Sequence, residues 1–150
     1  MEMLKVGDKA PDFVAVDQNE KTVKLSDFAG KKLVVFFYPK ASTPGCTVEA
    51  CNLRDNYQTF LAQNYEVVGV SADSVKRQSN FANKQELPFS LLADEDKKVI
   101  EAFGVWGPKK FMGKEYDGIH RTTFVIDENG IIIEVIAKVK TKEHTAQILK

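Results

Sequence analysis

The stretch YPKASTPGCTVEAC, residues 38 to 51, carries both cysteines of this 150-residue chain, Cys46 and Cys51. A cysteine is strongly nucleophilic once ionised, and the residues ahead of Cys46 favour ionisation. Thr43 is a good N-cap residue and Pro44 a favoured first helical residue, so a helix should begin here. Gly45 and Cys46 then fall in the first turn, where backbone N–H groups lack intrahelical acceptors. The partial positive charge there favours a thiolate over a thiol. Gly45 also removes a side chain beside the sulfur and opens room for a small reactant. The pattern is that of an activated, accessible thiolate, whereas an ordinary cysteine packs as a small hydrophobe.

Cys51 is more ambiguous. Its spacing from Cys46 is too long for the C-x-x-C of a dithiol redox motif. Inside the helix, flanked by Val48 and Tyr57, it reads equally as a second reactive thiol or as a packed apolar residue. Five residues of intact α-helix advance about 7.5 Å and rotate by about 140°. The two Cα atoms would then lie roughly 8–9 Å apart, beyond the ~7 Å that a disulfide spans.

The surrounding elements read as a mixed α/β order. FVAVDQNEKTVKL (13–25) forms two short strands about a polar turn. KLVVFFYP (32–39) is apolar on both faces, as a central strand of a covered sheet should be, and Pro39 ends it. A helical pattern runs from Pro44 to about Asn64, then EVVGVS (66–71) reads as a buried strand. Asp73 is placed to cap a helix over 74–86. A short extended piece (87–94), a brief helix (95–104) and a glycine-rich loop follow. RTTFVID and GIIIEVIAK then flank ENG as a hairpin, and the tail forms a short amphipathic helix. Alternating strands and helices imply an α/β domain with a mixed sheet between helical layers, spanning residues 1–150 as one unit.

Composition narrows the function. Lys+Arg and Asp+Glu balance at 21 each, and 43% apolar with 28% charged residues is ordinary for a globular protein. No net field draws the chain to nucleic acid or to an anionic membrane. The longest apolar runs are too short to span a bilayer, and the N-terminus has no signal-peptide pattern. The expectation is a cytoplasmic protein, where disulfides are mostly transient and catalytic.

The segment PKASTPGC places Pro39, Thr43 and Cys46 in the order P-x-x-x-T-x-x-C, which resembles the active-site signature of the peroxiredoxins. YPKASTPGCTVEACNLRD is similar to the bacterioferritin comigratory protein, or peroxiredoxin Q, subgroup. So are GVSADS, LPFSLLADED, FGVWGPKKFMGKEYDGIHRTTFVID and KVKTKEH, nearly the whole chain in one register. The resemblance implies a thioredoxin-like fold and a thiol peroxidase acting on hydrogen peroxide and organic hydroperoxides. Haem, flavin and metal are not required. It assigns Cys46 as the peroxidatic cysteine and Thr43 as the hydroxyl that bonds peroxide and thiolate. Pro39 shields the sulfur, and Arg121 supplies the guanidinium that completes the site. Cys51 falls where many members carry the resolving cysteine. The resemblance further implies thioredoxin as reductant and a monomer.

Each role has a physical basis. Attack on an O–O bond puts negative charge on the leaving oxygen, which Arg121 and nearby backbone N–H groups can stabilise. Thr43 can donate to one peroxide oxygen and accept from the other. The sulfenic acid formed at Cys46 condenses with a nearby thiol. Because an intact helix keeps Cys51 out of reach, its first turns are expected to unwind before a Cys46–Cys51 disulfide forms.

Competing readings are poorer. A zinc set would need Cys46, Cys51, His120 and His144, whose spacing fits no common knuckle. His120, beside Arg121, would serve as the base of a Cys/His hydrolase only if folding placed it near Cys46. Glycines 104, 107, 113 and 118 form no nucleotide-binding loop. Trp106 and Phe111 either wall a pocket or pack. A general thiol–disulfide oxidoreductase lacks its C-x-x-C. A redox sensor or chaperone-like binding protein using the same cysteine switch is the alternative from a different class.

Overall fold

A computed structural model describes residues 2–150. The run Leu33–Tyr38 explains the architecture. Its side chains alternate between two faces of a sheet, and both faces are covered. Leu33, Val35 and Phe37 enter one core cluster and Val34, Phe36 and Tyr38 enter the other.

The chain opens with the antiparallel pair β1 (Val14–Val16) and β2 (Thr22–Lys24), then runs through a 3-10 turn into β3 (Lys32–Phe37). Helices α1 (Pro44–Asp55) and α2 (Tyr57–Ala62) lead to β4 (Tyr65–Ser71), and α3 (Val75–Gln85) leads to β5 (Ser90–Ala93). After α4 (Lys98–Phe103) come the hairpin β6 (Trp106–Phe111) and β7 (Lys114–Ile119), the pair β8 (Thr122–Ile126) and β9 (Ile132–Ile136), and α5 (His144–Ile148).

Five strands form the central sheet in the order β5-β4-β3-β8-β9. β3, β4 and β5 are parallel, while β8 and β9 pair antiparallel. The sheet is mixed, with β3 in its middle, as the two-faced apolar run predicts. Helices α1, α2, α3 and α5 pack on one face through Ala50, Leu53, Phe60, Phe81 and Ile148. Helix α4 covers the other face through Val99, Ile100 and Phe103, together with Val23 of the N-terminal hairpin. Gly69 in β4 permits this packing, because a Cβ there would lie 2.8 Å from both the Phe36 ring and Leu91.

Several boundaries differ from the sequence reading. The helix expected from Pro44 to about Asn64 breaks at Asn56, whose φ of -112° and ψ of 12° are not helical. Its side chain donates to the Asn52 carbonyl, an alternative that competes with the helix. The cap of α3 is Ser74, whose hydroxyl accepts from the Arg77 N–H. Asp73, expected in that role, is instead buried and faces the loop before α1. The glycine-rich stretch is a two-stranded hairpin, turned at Met112 and Gly113 with positive φ at both. No helix among the described residues is long and apolar enough to cross a membrane.

Candidate active site

The C-terminal end of β3 delivers the chain into the loop Pro39–Thr43, and α1 starts immediately after it. This loop is held from below. Asp73, just past β4, accepts from the Ala41 N–H at 2.7 Å and from the Ser71 hydroxyl at 2.7 Å. Gln78 of α3 bridges Ser71, the Leu92 carbonyl and the Tyr38 hydroxyl. A satisfied buried network of this kind fixes the loop's backbone.

Thr43 sits at the N-cap position with extended backbone, and Pro44 follows at N1. The Thr43 hydroxyl makes no capping bond; it donates to the Lys40 carbonyl at 2.8 Å. Its proton is thereby committed, and its lone pairs are left to accept from an incoming O–H. The first helical bond runs from Thr47 N–H to Thr43 C=O, so the amides of Gly45 and Cys46 precede it at the positive end of α1. Pro39 is half-buried between β3 and this helix end.

Cys46 is 1% exposed, and Arg121 reaches it from the start of β8. The guanidinium is forked: Nη2 donates to Cys46 Sγ at 3.4 Å and Nη1 to Glu49 Oε1 at 2.6 Å. Burial opposes the guanidinium's charge, yet Cys46 and Glu49 hold its pKa above the usual arginine value. Gly45 makes the approach possible, since a Cβ there would lie 3.2 Å from Arg121 Nη2. The space the glycine leaves is taken by this guanidinium, and the sulfur expected to be accessible is buried. A permanent planar cation against the sulfur, with backbone N–H groups beside it, can stabilise charge developing on oxygen during displacement.

Glu49 is absent from the sequence reading. Three residues beyond Cys46 on α1, it is fully buried, and burial raises its carboxyl to about 7 against the pull of Arg121. His144 is also fully buried, and its Nε2 lies 3.4 Å from Glu49 Oε2. Glu49 could have been found only as an acid on the same helical face as Cys46 and Ala50.

Cys51 lies in the third turn of the same unbroken helix, with both thiols free. Half-buried, it donates weakly to Gln85 Oε1 at 3.5 Å. Arg54 donates to the Gln85 carbonyl at 2.7 Å and pairs with Asp55, tying the end of α1 to the end of α3. His120 approaches the Pro108 carbonyl with its Nε2, at 3.0 Å. No cluster of three or more His, Cys, Asp or Glu side chains suited to a metal occurs among the described residues. Trp106 is half-buried against the core, and Phe111 is exposed at the hairpin tip.

The chain is similar to known proteins along almost its whole length. The family model described as AhpC/TSA matches residues 6–135. Peroxiredoxin Bcp of Escherichia coli (strain K12) is 51% identical over 99% of this chain and 96% of its own length. Among solved structures, peroxidoxin BcpB of Mycobacterium tuberculosis superposes with a TM-score of 0.87 at 37% identity, covering 99% of this chain and 95% of that one. A cysteine-to-serine variant of Xylella fastidiosa PrxQ gives a TM-score of 0.93 at 31% identity with the same coverage.

Proposed function

This chain belongs to the AhpC/TSA family as a peroxiredoxin of the Bcp and peroxiredoxin Q type, and from that premise we propose that Cys46 is its peroxidatic cysteine and Cys51 its resolving partner. The protein is a thiol peroxidase with a thioredoxin-like fold, taking peroxides as substrates and a thiol protein as reductant. The observation that carries the residue assignment is the 3.4 Å contact from Arg121 Nη2 to Cys46 Sγ at the start of α1.

In this reading the Cys46 thiolate attacks one peroxide oxygen and the O–O bond breaks. The sulfur is oxidised to a sulfenic acid, and the leaving oxygen takes a proton to depart as water or alcohol. Arg121 and the α1 amides stabilise that oxygen, Thr43 accepts from the peroxide O–H, and Pro39 shields the sulfur from bulk water. Unwinding of the first turns of α1 then lets the Cys51 thiolate displace water from the sulfenic sulfur, forming a Cys46–Cys51 disulfide. A dithiol reductant returns both thiols. We read that reductant as thioredoxin, the protein as a monomeric single domain over residues 1–150, and its compartment as the cytoplasm.

Peroxide-dependent NADPH oxidation coupled through thioredoxin and its reductase tests the cycle. Activity should vanish in Cys46→Ser. Peptide mapping after one equivalent of peroxide should find Cys46 joined to Cys51. Sulfinic Cys46 alone, or only intersubunit bridges, would refute the resolving role. Turnover with a small dithiol but none with thioredoxin would refute the reductant.

A further inference from the structure

The inner oxygen of Glu49 is the one buried side-chain polar atom without a hydrogen-bond partner among the described residues. An orphan of this kind needs an explanation, and His144 Nε2 lies 3.4 Å from it. Gln147 fixes the state of that ring. Its Oε1 accepts from the Lys140 N–H at 2.9 Å, and its Nε2 donates to the Lys138 carbonyl at 3.0 Å. The amide cannot flip without losing both bonds, so Oε1 faces His144 Nδ1 at 2.8 Å and Nδ1 carries the proton. His144 Nε2 therefore turns toward Thr123 Oγ1, at 2.7 Å, and toward Glu49 Oε2.

We propose that His144 is a positioning residue of this site: it governs the inner oxygen of Glu49, whose outer oxygen holds Arg121 against Cys46. A path of side chains then runs from the C-terminal helix to the sulfur, through His144, Glu49 and Arg121. The assignment rests on the peroxidase reading for what Arg121 does, and on geometry for what holds Arg121.

The pair has room for one shared proton. Burial raises the Glu49 carboxyl and lowers the His144 imidazole, the latter against the Gln147 hydrogen bond. Both shifts favour neutral partners. With the proton on Glu49 Oε2, that oxygen donates to His144 Nε2 once the Thr123 hydroxyl, 2.7 Å from the same lone pair, turns its own proton away, and the orphan is satisfied. With the proton lost, Glu49 binds Arg121 as a full carboxylate, and Oε2 faces a lone pair. The charged groups acting on the pair are Arg121, just before β8, and Glu134 of β9, with Cys46 on α1 and Lys109 of β6 acting on Arg121 in turn. A change in the pair's proton alters how firmly Arg121 is held and how much of its charge reaches Cys46.

The test follows loss of the Cys46 thiol with hydrogen peroxide by rapid quench and alkylation mass spectrometry, from pH 6 to 8. His144→Leu should slow oxidation about tenfold, and Glu49→Gln should do the same. The double variant should be no slower than either single one, because both act through Arg121. His144→Gln places an amide near the Nε2 position and does not titrate. It should retain most of the rate while changing the pH profile, and it serves if His144→Leu fails to fold. A wild-type rate and profile in both His144 variants would overturn the proposal. So would a double variant slowed by the product of the two single effects. Iodoacetamide alkylation of Cys46, run in parallel, separates the two levels. Wild-type protein inert to peroxide, with alkylation rates still shifted by His144→Leu, would sink the peroxidase reading and support the His144 assignment.

Discussion

Asn52 and Thr145 are joined twice across the boundary between α1 and the C-terminal segment. The Asn52 side-chain carbonyl accepts from the Thr145 N–H at 2.8 Å, and its backbone carbonyl accepts from the Thr145 hydroxyl at 3.3 Å. The Asn52 amide also donates to the Lys142 carbonyl at 3.0 Å. The residue following Cys51 is thus clamped to a different part of the chain, and α1 must work against that clamp to unwind.

Asn52→Ala removes the two side-chain bonds, a loss of about 1–2 kcal/mol of support for the folded helix. The unwound form should gain about five- to thirtyfold in population. Disulfide formation after a peroxide pulse should accelerate, and the yield of sulfinic Cys46 under excess peroxide should fall. Stopped-flow quench with thiol alkylation measures both. An unchanged sulfinic yield would show that the clamp does not limit resolution.

Gly45→Ala separates stability from activity. Alanine in a first helical turn should match glycine or improve on it by up to about 1 kcal/mol. The added Cβ would stand 3.2 Å from Arg121 Nη2 and push the guanidinium off the sulfur. The thermal midpoint should hold or rise while Cys46 oxidation slows several-fold. A variant as fast as wild type would mean that Arg121 tolerates the displacement.

Glu49 carries a pH signature of stability. Its folded carboxyl sits at about 7 and its ordinary value is 4.5, so the folded state binds the proton more tightly. The stabilisation is fully present below pH 4.5 and fades as pH climbs toward 7, by about 1.4 kcal/mol per unit. Above pH 7 both states are ionised and the difference levels off. Urea titrations from pH 4.5 to 8.5 should show wild-type stability falling relative to Glu49→Gln up to pH 7 and running parallel above it. A constant difference between the two proteins would contradict the raised carboxyl.

Asp73→Ala should strip the Ala41 N–H and the Ser71 hydroxyl of their buried acceptor. A loss of about 2–3 kcal/mol is expected, read as a drop of roughly 5–10 °C in Tm. Cys46 oxidation should slow with it, because the loop that presents α1 is no longer fixed. Unchanged oxidation in the destabilised variant would show that α1 alone places the sulfur.

The parts of the fold and site legible in the sequence were those encoded locally. The β3 run displays its two-faced burial in six consecutive residues, and Thr43, Pro44 and Gly45 announce the start of α1 within a single turn. Glu49 was illegible because an acid on a helix ordinarily faces water. Its burial is decided by Arg121, 72 positions later, and by His144 on the last helix. His144 was weighed only as a zinc ligand, since nothing local marks a histidine whose partners lie on three elements. Asp73 looked like a cap because caps are local, whereas its actual partner, Ala41, is 32 residues upstream. The β6–β7 hairpin escaped notice because its outer half is exposed on both faces and shows no alternation.

The Asp73 hold on Ala41 and the Arg54 hold on Gln85 stand at either end of the segment that opens in the proposed cycle. Whatever happens to Cys46 and Cys51 is confined to about a dozen residues tethered at two fixed posts, a span with little entropy to gain by wandering. The layer that α4 covers need not come apart, and the other gives up only the contacts of α1. Such a molecule behaves less like a protein that partly denatures with every turnover than like a spring clip, whose wear is limited because its mountings do not move.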